Sequence, residues 1–299
     1  MTKKGGRAGA EMPAAVDAAR LAQFRAKVLE EGRELYRDLP WRRTRDPYAI
    51  WISEVMLQQT QVSRVDGRWQ RWLARFPEVA ALAQAEAADV LDEWQGLGYN
   101  RRALAVHRAA QAVEAAGGEF PSEARELTAL PGIGPATAAG IRAFAFDLHS
   151  VYLETNVRTV MLHELYPGVE GVGDKELVPL VEKTCPAGAD EPGFDADDDP
   201  RSWYYAMLDY GAYLKRTVPN PSRRSREHVK QSRFEGSHRQ KRAAVLRALL
   251  GARGGASADA VREAVSHEGI DLDAATVRAL LDEMSAEGFC RLEEGLWRP

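Results

Sequence analysis

The run Leu130-Pro-Gly-Ile-Gly-Pro-Ala-Thr137 limits most strongly what this chain can become. A helical pattern precedes it over 123–129 and resumes at Pro135, a residue favoured at the first position of a helix. Two glycines two apart between helical patterns predict a tight hairpin joining two helices. Gly132 and Gly134 can adopt positive φ and let a ligand come close to the backbone. The N–H groups that open the second helix, around Ala136 and Thr137, face an approaching anion with the helix dipole behind them. Such a hairpin suits a DNA phosphate and reads no sequence. An ordinary glycine-containing turn between helices is the other reading.

The rest of the chain reads as mainly α. Helical patterns cover 16–38, 47–62, 64–75, 78–84, 86–94, 101–116, 135–146, 154–164, 174–185 and 201–215. Arg64, Arg68, Arg71 and Arg75 recur at helical spacing and predict one shared basic face. Strand signals wait until the end. There, helices at 238–251, 257–267 and 273–288 precede a hairpin of Cys290–Leu292 and Leu296–Arg298 around Glu293-Glu294-Gly295. That order predicts a small winged-helix-like domain, a module that contacts DNA or protein. Ser257 and Asp273 are its candidate N-caps. A chain of 299 residues can bury a full core in more than one domain.

Net charge is −4, which alone argues against a nucleic-acid partner, but the charges are segregated. Residues 189–200 carry six acids and no base, and read as a solvated loop. Residues 213–243 carry ten Lys/Arg against two acids, a basic tract fit for a polyanion. No apolar stretch is long enough to span a bilayer, and the N-terminus lacks a signal-peptide core. The two cysteines, Cys185 and Cys290, exclude a disulfide framework, a four-thiolate zinc site and a cysteine-ligated iron–sulfur cluster. Usage this sparse fits a reducing cytoplasm, with a single Cys185–Cys290 disulfide as the alternative.

Two carboxylates carry the chemistry. In Pro47-Tyr-Ala-Ile-Trp-Ile-Ser-Glu-Val-Met-Leu57 the only charge is Glu54, with Ile50, Trp51 and Leu57 at helical spacing around it. Partial desolvation would let such a carboxyl hold a proton near neutrality, as a general acid must. A surface glutamate on an amphipathic helix is the competing reading. Glu154 lies between an apolar run and a helix start in Val151-Tyr-Leu-Glu-Thr-Asn156. It reads either as a helix-entry carboxylate or as a second active-site acid with Asn156 beside it.

Six segments, LPWRR, DPYAIWISEVMLQQTQV, GLGYNRRA, LPGIGPAT, LETNVR and AMLDYGA, follow in order over 39–215. Together they resemble the helix-hairpin-helix DNA glycosylases that include endonuclease III, and within them the MutY-type adenine glycosylases. The resemblance implies a two-lobed helical fold. One lobe comprises 43–153 with the hairpin, and the other 16–42 plus 154–236. A flexible tail at 1–15 and the winged-helix-like 237–299 complete the chain. It also implies a monomer in the cytoplasm, associated with the nucleoid, acting on double-stranded DNA that holds a mismatched or damaged base. The base is flipped out before the chemistry. Glu54 then protonates N7 of adenine, and Glu154 faces the oxocarbenium ion, the two-carboxylate logic of glycoside hydrolysis. Gln58, Gln59, Leu97 and Tyr99 fall in segments that wedge into the duplex, and Arg42 in one that lines the base pocket. The expected substrate is adenine opposite 8-oxoguanine or guanine. Another target base, or a catalytically silent damage-binding protein, are the alternatives.

This sequence departs from the family pattern in four places. Glu154 stands where the family has aspartate, one methylene longer. Ala136 replaces the lysine that gives bifunctional relatives a strand-cleaving Schiff base, which implies a glycosylase without lyase activity. The four iron–sulfur ligand positions fall on Lys215, Ser222, Ser225 and Gln231, so no metal or other cofactor is expected. In their place Arg223, Arg224, Arg226 and Lys230 are candidates to hold the DNA backbone, unless the loop is only a disordered basic linker. Finally, the winged-helix-like 237–299 stands where many relatives have a large C-terminal domain that senses 8-oxoguanine, so that domain is not expected here.

Overall fold

The computed structural model describes residues 16–230 and 233–299, so the expected flexible tail at 1–15 lies outside the described residues, as does Gln231. Among the described residues, the named elements before Arg291 are all helices. The elements are α1 (Ala18–Glu34), a 3-10 turn (Pro40–Arg43), α2 (Pro47–Leu57), α3 (Val62–Val65), α4 (Arg68–Arg75), α5 (Val79–Ala83), α6 (Ala87–Glu93) and α7 (Arg101–Ala115). After them come α8 (Ala124–Ala129), α9 (Pro135–Phe146), α10 (Thr155–Glu164), α11 (Asp174–Thr184) and α12 (Pro200–Thr217), then a second 3-10 turn (Pro221–Arg224). The chain closes with α13 (His238–Gly251), α14 (Ala258–His267), α15 (Ala274–Glu287) and the strands β1 (Arg291–Glu293) and β2 (Leu296–Arg298). The strands pair antiparallel, with Leu292 opposite Trp297.

Side-chain caps set many of the helix starts. Asp17, Glu154, Asp199, Ser237, Ser257 and Asp273 each accept a backbone N–H from the first turn of the helix they precede. Two expected helices end early. The pattern at 47–62 stops at Leu57, because the chain turns through Gln58–Thr60, and the run 64–75 is broken at Asp66-Gly67. The expected arginine face is therefore not one stripe. Arg64 sits on α3. Arg68 donates to the Gln95 carbonyl at 2.6 Å, while Arg71 and Arg75 pair with Glu93 and Asp89 of α6. These arginines join two helices of the protein.

The chain divides into two compact units. Of the described residues, the first holds those in 1–50, 122–124 and 134–230, and the second 51–121, 125–133 and 233–299. This differs from the expected division at 43 and 154. The helix after the hairpin, α9, packs its Ala139, Ala143 and Phe144 into the core of the first unit. The C-terminal helices are grouped with the second unit.

In the first unit, α12 crosses both α1 and α10 and buries Trp203, Tyr204 and Met207 against Phe24, Val28, Val157 and Met161. The Phe144 and Tyr205 rings stack at 4.7 Å. The Tyr204 hydroxyl donates to the Ser150 carbonyl and accepts the Tyr152 N–H at 3.1 Å. It thereby clamps the extended strand-like segment that leads into Glu154. The acidic loop is tied down at its end, since Asp198 pairs with Arg25 at 2.6 Å and Asp199 caps α12. In the second unit Trp51, Trp72 and Trp94 are fully buried, the last two meeting edge to face at 5.5 Å. Val245, Leu249, Val265, Leu281 and Trp297 form the core of its C-terminal part. Cys185 and Cys290 are both free and buried.

Candidate active site

Glu54 lies in the last turn and a half of α2, half-buried, between Trp51, Ile52, Ser53, Val55 and Met56, which are all buried. The helix supplies the apolar surroundings that its sequence pattern implies. Just beyond it, Gln58 is half-buried and Gln59 is exposed with φ of 53°, a left-handed backbone that is uncommon outside glycine. Tyr99 is likewise left-handed, with φ of 50°, and 38% exposed.

Both turns are held by Arg102, a residue absent from the candidates named above. Its guanidinium donates to the carbonyls of Val55 at 2.6 Å and Gln58 at 2.7 Å on one side. On the other it reaches Leu97 at 3.2 Å and Gly98 at 3.0 Å. Burial lowers its pKa to about 10, and the Trp94 and Tyr99 rings flank it. GLGYNRRA contains two arginines side by side, and their spacing alone does not say which one turns inward. Leu97, expected among the wedge residues, is 3% exposed. Its carbonyl anchors the turn, and the exposed positions are Gln59 and Tyr99.

The hairpin is exposed from Pro131 to Ala136, apart from Ile133. Gly132 has φ of 76°, and a Cβ there would meet the Ala105 Cβ at 2.6 Å, so both backbone and packing require glycine. Gly134 differs from expectation. It is extended at φ of −86° and ψ of 173°, and a Cβ on it would meet no protein atom within 4 Å. As N-cap of α9 it has no side chain to cap the helix start. Ala136 is exposed there and Thr137 is buried.

Glu154 is the N-cap of α10. Its Oε1 accepts the N–H of Asn156 and, at 3.1 Å, that of Val157. The longer side chain thus folds back onto its own helix and occupies the capping position that aspartate ordinarily takes. Burial pushes its pKa up, while Lys215, the two N–H donors and the Asn156 side chain pull it down. Lys215, on α12, donates from Nζ to Asn156 Oδ1 at 2.8 Å.

Arg42 is 6% exposed and forms a two-pronged ion pair with Asp209 at 2.7 and 2.9 Å. Its guanidinium stacks on the Tyr205 ring at 4.3 Å. The position expected to line a pocket therefore ties LPWRR to the aspartate of AMLDYGA.

Residues 52–198, a span holding Glu54, the hairpin and Glu154, match the model of the HhH-GPD superfamily of base excision DNA repair proteins. Over that stretch the chain is similar to members of this superfamily. It is 39% identical over 147 residues to an adenine DNA glycosylase of Buchnera aphidicola subsp. Baizongia pistaciae, covering 49% of this chain and 41% of that one. It is 36% identical over 162 residues to an adenine DNA glycosylase of Mycolicibacterium smegmatis, covering 54% and 55%. The chain thus spans about half the length of these relatives. A solved structure of a thermostable thymine-DNA glycosylase shares the fold with a TM-score of 0.56 at 23% identity, over 66% of this chain and 88% of that one.

Against the HhH-GPD background, the four cluster positions hold no thiolate. Lys215 is engaged with Asn156. The Ser222 hydroxyl donates to Asn220 Oδ1 at 2.8 Å, and that of Ser225 to Glu227 at 2.9 Å. Gln231 is outside the described residues. This donor set does not fit an iron–sulfur cluster, which needs soft, ionised sulfur. The loop is instead pinned by its backbone and arginines. Val172 and Ser225 form a parallel bridge, and the Arg226 N–H donates to the Val172 carbonyl at 3.0 Å. Arg224 donates to the carbonyls of Leu162 at 2.8 Å and Tyr166 at 2.6 Å, satisfying the end of α10. Of the four cations expected to hold DNA, Arg224 thus has an internal structural role. Arg226 reaches the Gly171 carbonyl at 3.1 Å, and Arg223 and Lys230 are exposed.

Proposed function

We propose that this chain is a monofunctional DNA N-glycosylase that excises mismatched adenine from duplex DNA, opposite 8-oxoguanine or guanine, without a metal or other cofactor. The observation that carries the reading is the family match over 52–198, which takes in Glu54, the hairpin and Glu154. Identity to adenine DNA glycosylases supports adenine as the base. In the proposed reaction the exposed hairpin receives a DNA phosphate at the start of α9, where Gly134 leaves open space. Gln59 and Tyr99, braced by Arg102, enter the base stack. Glu54 gives its proton to N7 of the extruded adenine as the N-glycosidic bond breaks. The Glu154 carboxylate stabilises the cationic sugar, and water then bonds to C1′ and releases a proton. Ala136 offers no amine for a Schiff base.

The test is single-turnover incubation with duplexes carrying adenine, thymine, hypoxanthine or alkylated bases opposite guanine and 8-oxoguanine, scored as alkali-labile sites. Release of adenine without spontaneous strand cleavage is expected, and Glu54→Gln should abolish it. Adenine release that survives Glu54→Gln overturns the mechanism. Release of another base alone replaces the substrate, and binding without release from any duplex makes the chain a damage-binding protein. The purified protein is expected to be colourless and free of iron; a broad visible absorption with bound iron would contradict the cofactor-free reading.

A further inference from the structure

Three features converge at the start of α10. Gly211 of α12 lies so close that a Cβ on it would meet the Asn156 carbonyl oxygen at 2.4 Å. One helical turn later, at i+4 and on the same face, α12 carries Lys215. Its ammonium donates to Asn156 Oδ1 at 2.8 Å, which orients the amide so that its nitrogen faces away from the cation. The Asn156 amide and the N–H groups of Asn156 and Val157 serve the Glu154 carboxylate. Resting on the glycosylase reading above, we propose that Lys215 is a positioning residue that keeps Glu154 anionic and aligned for the cationic sugar.

The physical need is plain. A carboxylate withdrawn from water reverts to the neutral acid unless donors and a cation hold its charge. A neutral Glu154 would offer the oxocarbenium ion little stabilisation. Burial pulls the two groups in opposite directions, raising Glu154 and lowering Lys215, and each favours the charged form of the other. The other cation acting on Lys215 is Arg37, and it is already committed, with its Nε on Asp209 at 2.5 Å. Lys215 occupies a position where the family resemblance places a cluster thiolate, so this chain has a cation beside the second carboxylate where a ligand would stand.

The test uses the full-length protein. Lys215→Gln keeps a donor for Asn156 but removes the charge, and Lys215→Arg keeps the charge. The Glu154 carboxyl is titrated by carbon-13 NMR, assigned with Glu154→Gln. We expect its midpoint to rise in Lys215→Gln and to stay near wild type in Lys215→Arg. The acid limb of the single-turnover pH profile should move up in parallel, because Glu154 then ionises only at higher pH. At neutral pH the rate should fall by about 100-fold, the low end of the cost of removing one preorganised electrostatic partner from an active site. An unmoved Glu154 midpoint in folded Lys215→Gln overturns the proposal. Should that variant not fold, the reciprocal experiment decides it: in Glu154→Gln the Lys215 ammonium must titrate lower than in wild type, and an unchanged value overturns the proposal. Wild-type protein that releases no base from any duplex overturns the glycosylase reading itself, whatever the titrations show.

Discussion

The Arg42–Asp209 pair has both side chains almost wholly withdrawn from solvent. Its value lies less in Coulomb attraction than in what Arg42 would suffer alone, because removing Asp209 leaves the buried guanidinium without its carboxylate, whereas Asp209 also holds Arg37. Asp209→Leu is expected to destabilise the protein by about 3–5 kcal/mol, the range for a buried charge stripped of its partner, measurable as a lower urea midpoint. The double change Arg42→Met with Asp209→Leu should recover much of the loss. Glu154 presents a different residue-scale question. Its carboxylate is already retracted onto the α10 N-terminus, and Asn156 and Lys215 are assembled around that position. Glu154→Asp is therefore expected to slow base release by about 10- to 100-fold, because a displacement near 1 Å costs that much at a reacting centre. A faster Asp variant would mean that the surroundings still suit the shorter acid.

The loop from Val218 to Lys230 shows how an element can keep its place without a metal. A backbone bridge at Val172–Ser225 and the Arg224 clasp on the α10 carbonyls do the holding. This separates two kinds of arginine in one basic run. Arg223→Ala with Lys230→Ala should flatten the logarithmic dependence of DNA binding on salt, by about one in slope for each phosphate no longer neutralised. The thermal midpoint should change little. Arg224→Ala should do the reverse, lowering the thermal midpoint while leaving the slope intact. A steep slope retained in the Arg223/Lys230 variant would remove the loop from the DNA-binding surface.

Across the whole chain, the C-terminal helices are bound into the second unit through charge. Glu287, at the end of α15, receives both Arg101 and Arg242, and its own carbonyl accepts Arg108 at 3.0 Å. Arg253 reaches Asp92 at 3.2 Å and also pairs with Asp89, and Arg239 donates to the Tyr99 hydroxyl at 2.9 Å. The Arg101 hydrogen bond, with Arg242 beside it, holds the Glu287 carboxyl below its ordinary value of 4.5. A depressed carboxyl stabilises the folded arrangement above its unfolded value and loses that contribution as pH falls through the folded one. Docking of 233–299 should therefore be intact at neutral pH and weaken below about pH 4.5, and also at high salt, because Arg101 is largely exposed. Cleavage of the exposed 233–236 segment by an acid-tolerant protease should accelerate under those conditions in wild type. In Glu287→Gln the segment should be cut readily even at neutral pH.

Much of this protein is written in local sequence. Capping residues, proline at helix starts and the LPGIGPAT run mark helix boundaries to within a few residues, because those signals act over one turn of chain. The segments around Glu54 and Glu154 are recognisable for the same reason, since their residue types and order are local. Tertiary structure alone decided the rest. Only packing turns Arg102 inward to brace two turns, buries Leu97 and Arg42, and commits Arg224 to the end of α10. The approach of α12 at Gly211 sets Lys215 beside Asn156, although 59 residues separate them in the chain. Periodicity reports which side of a helix is apolar. It carries no information about which distant element will meet that side, and a charge's role depends on that meeting.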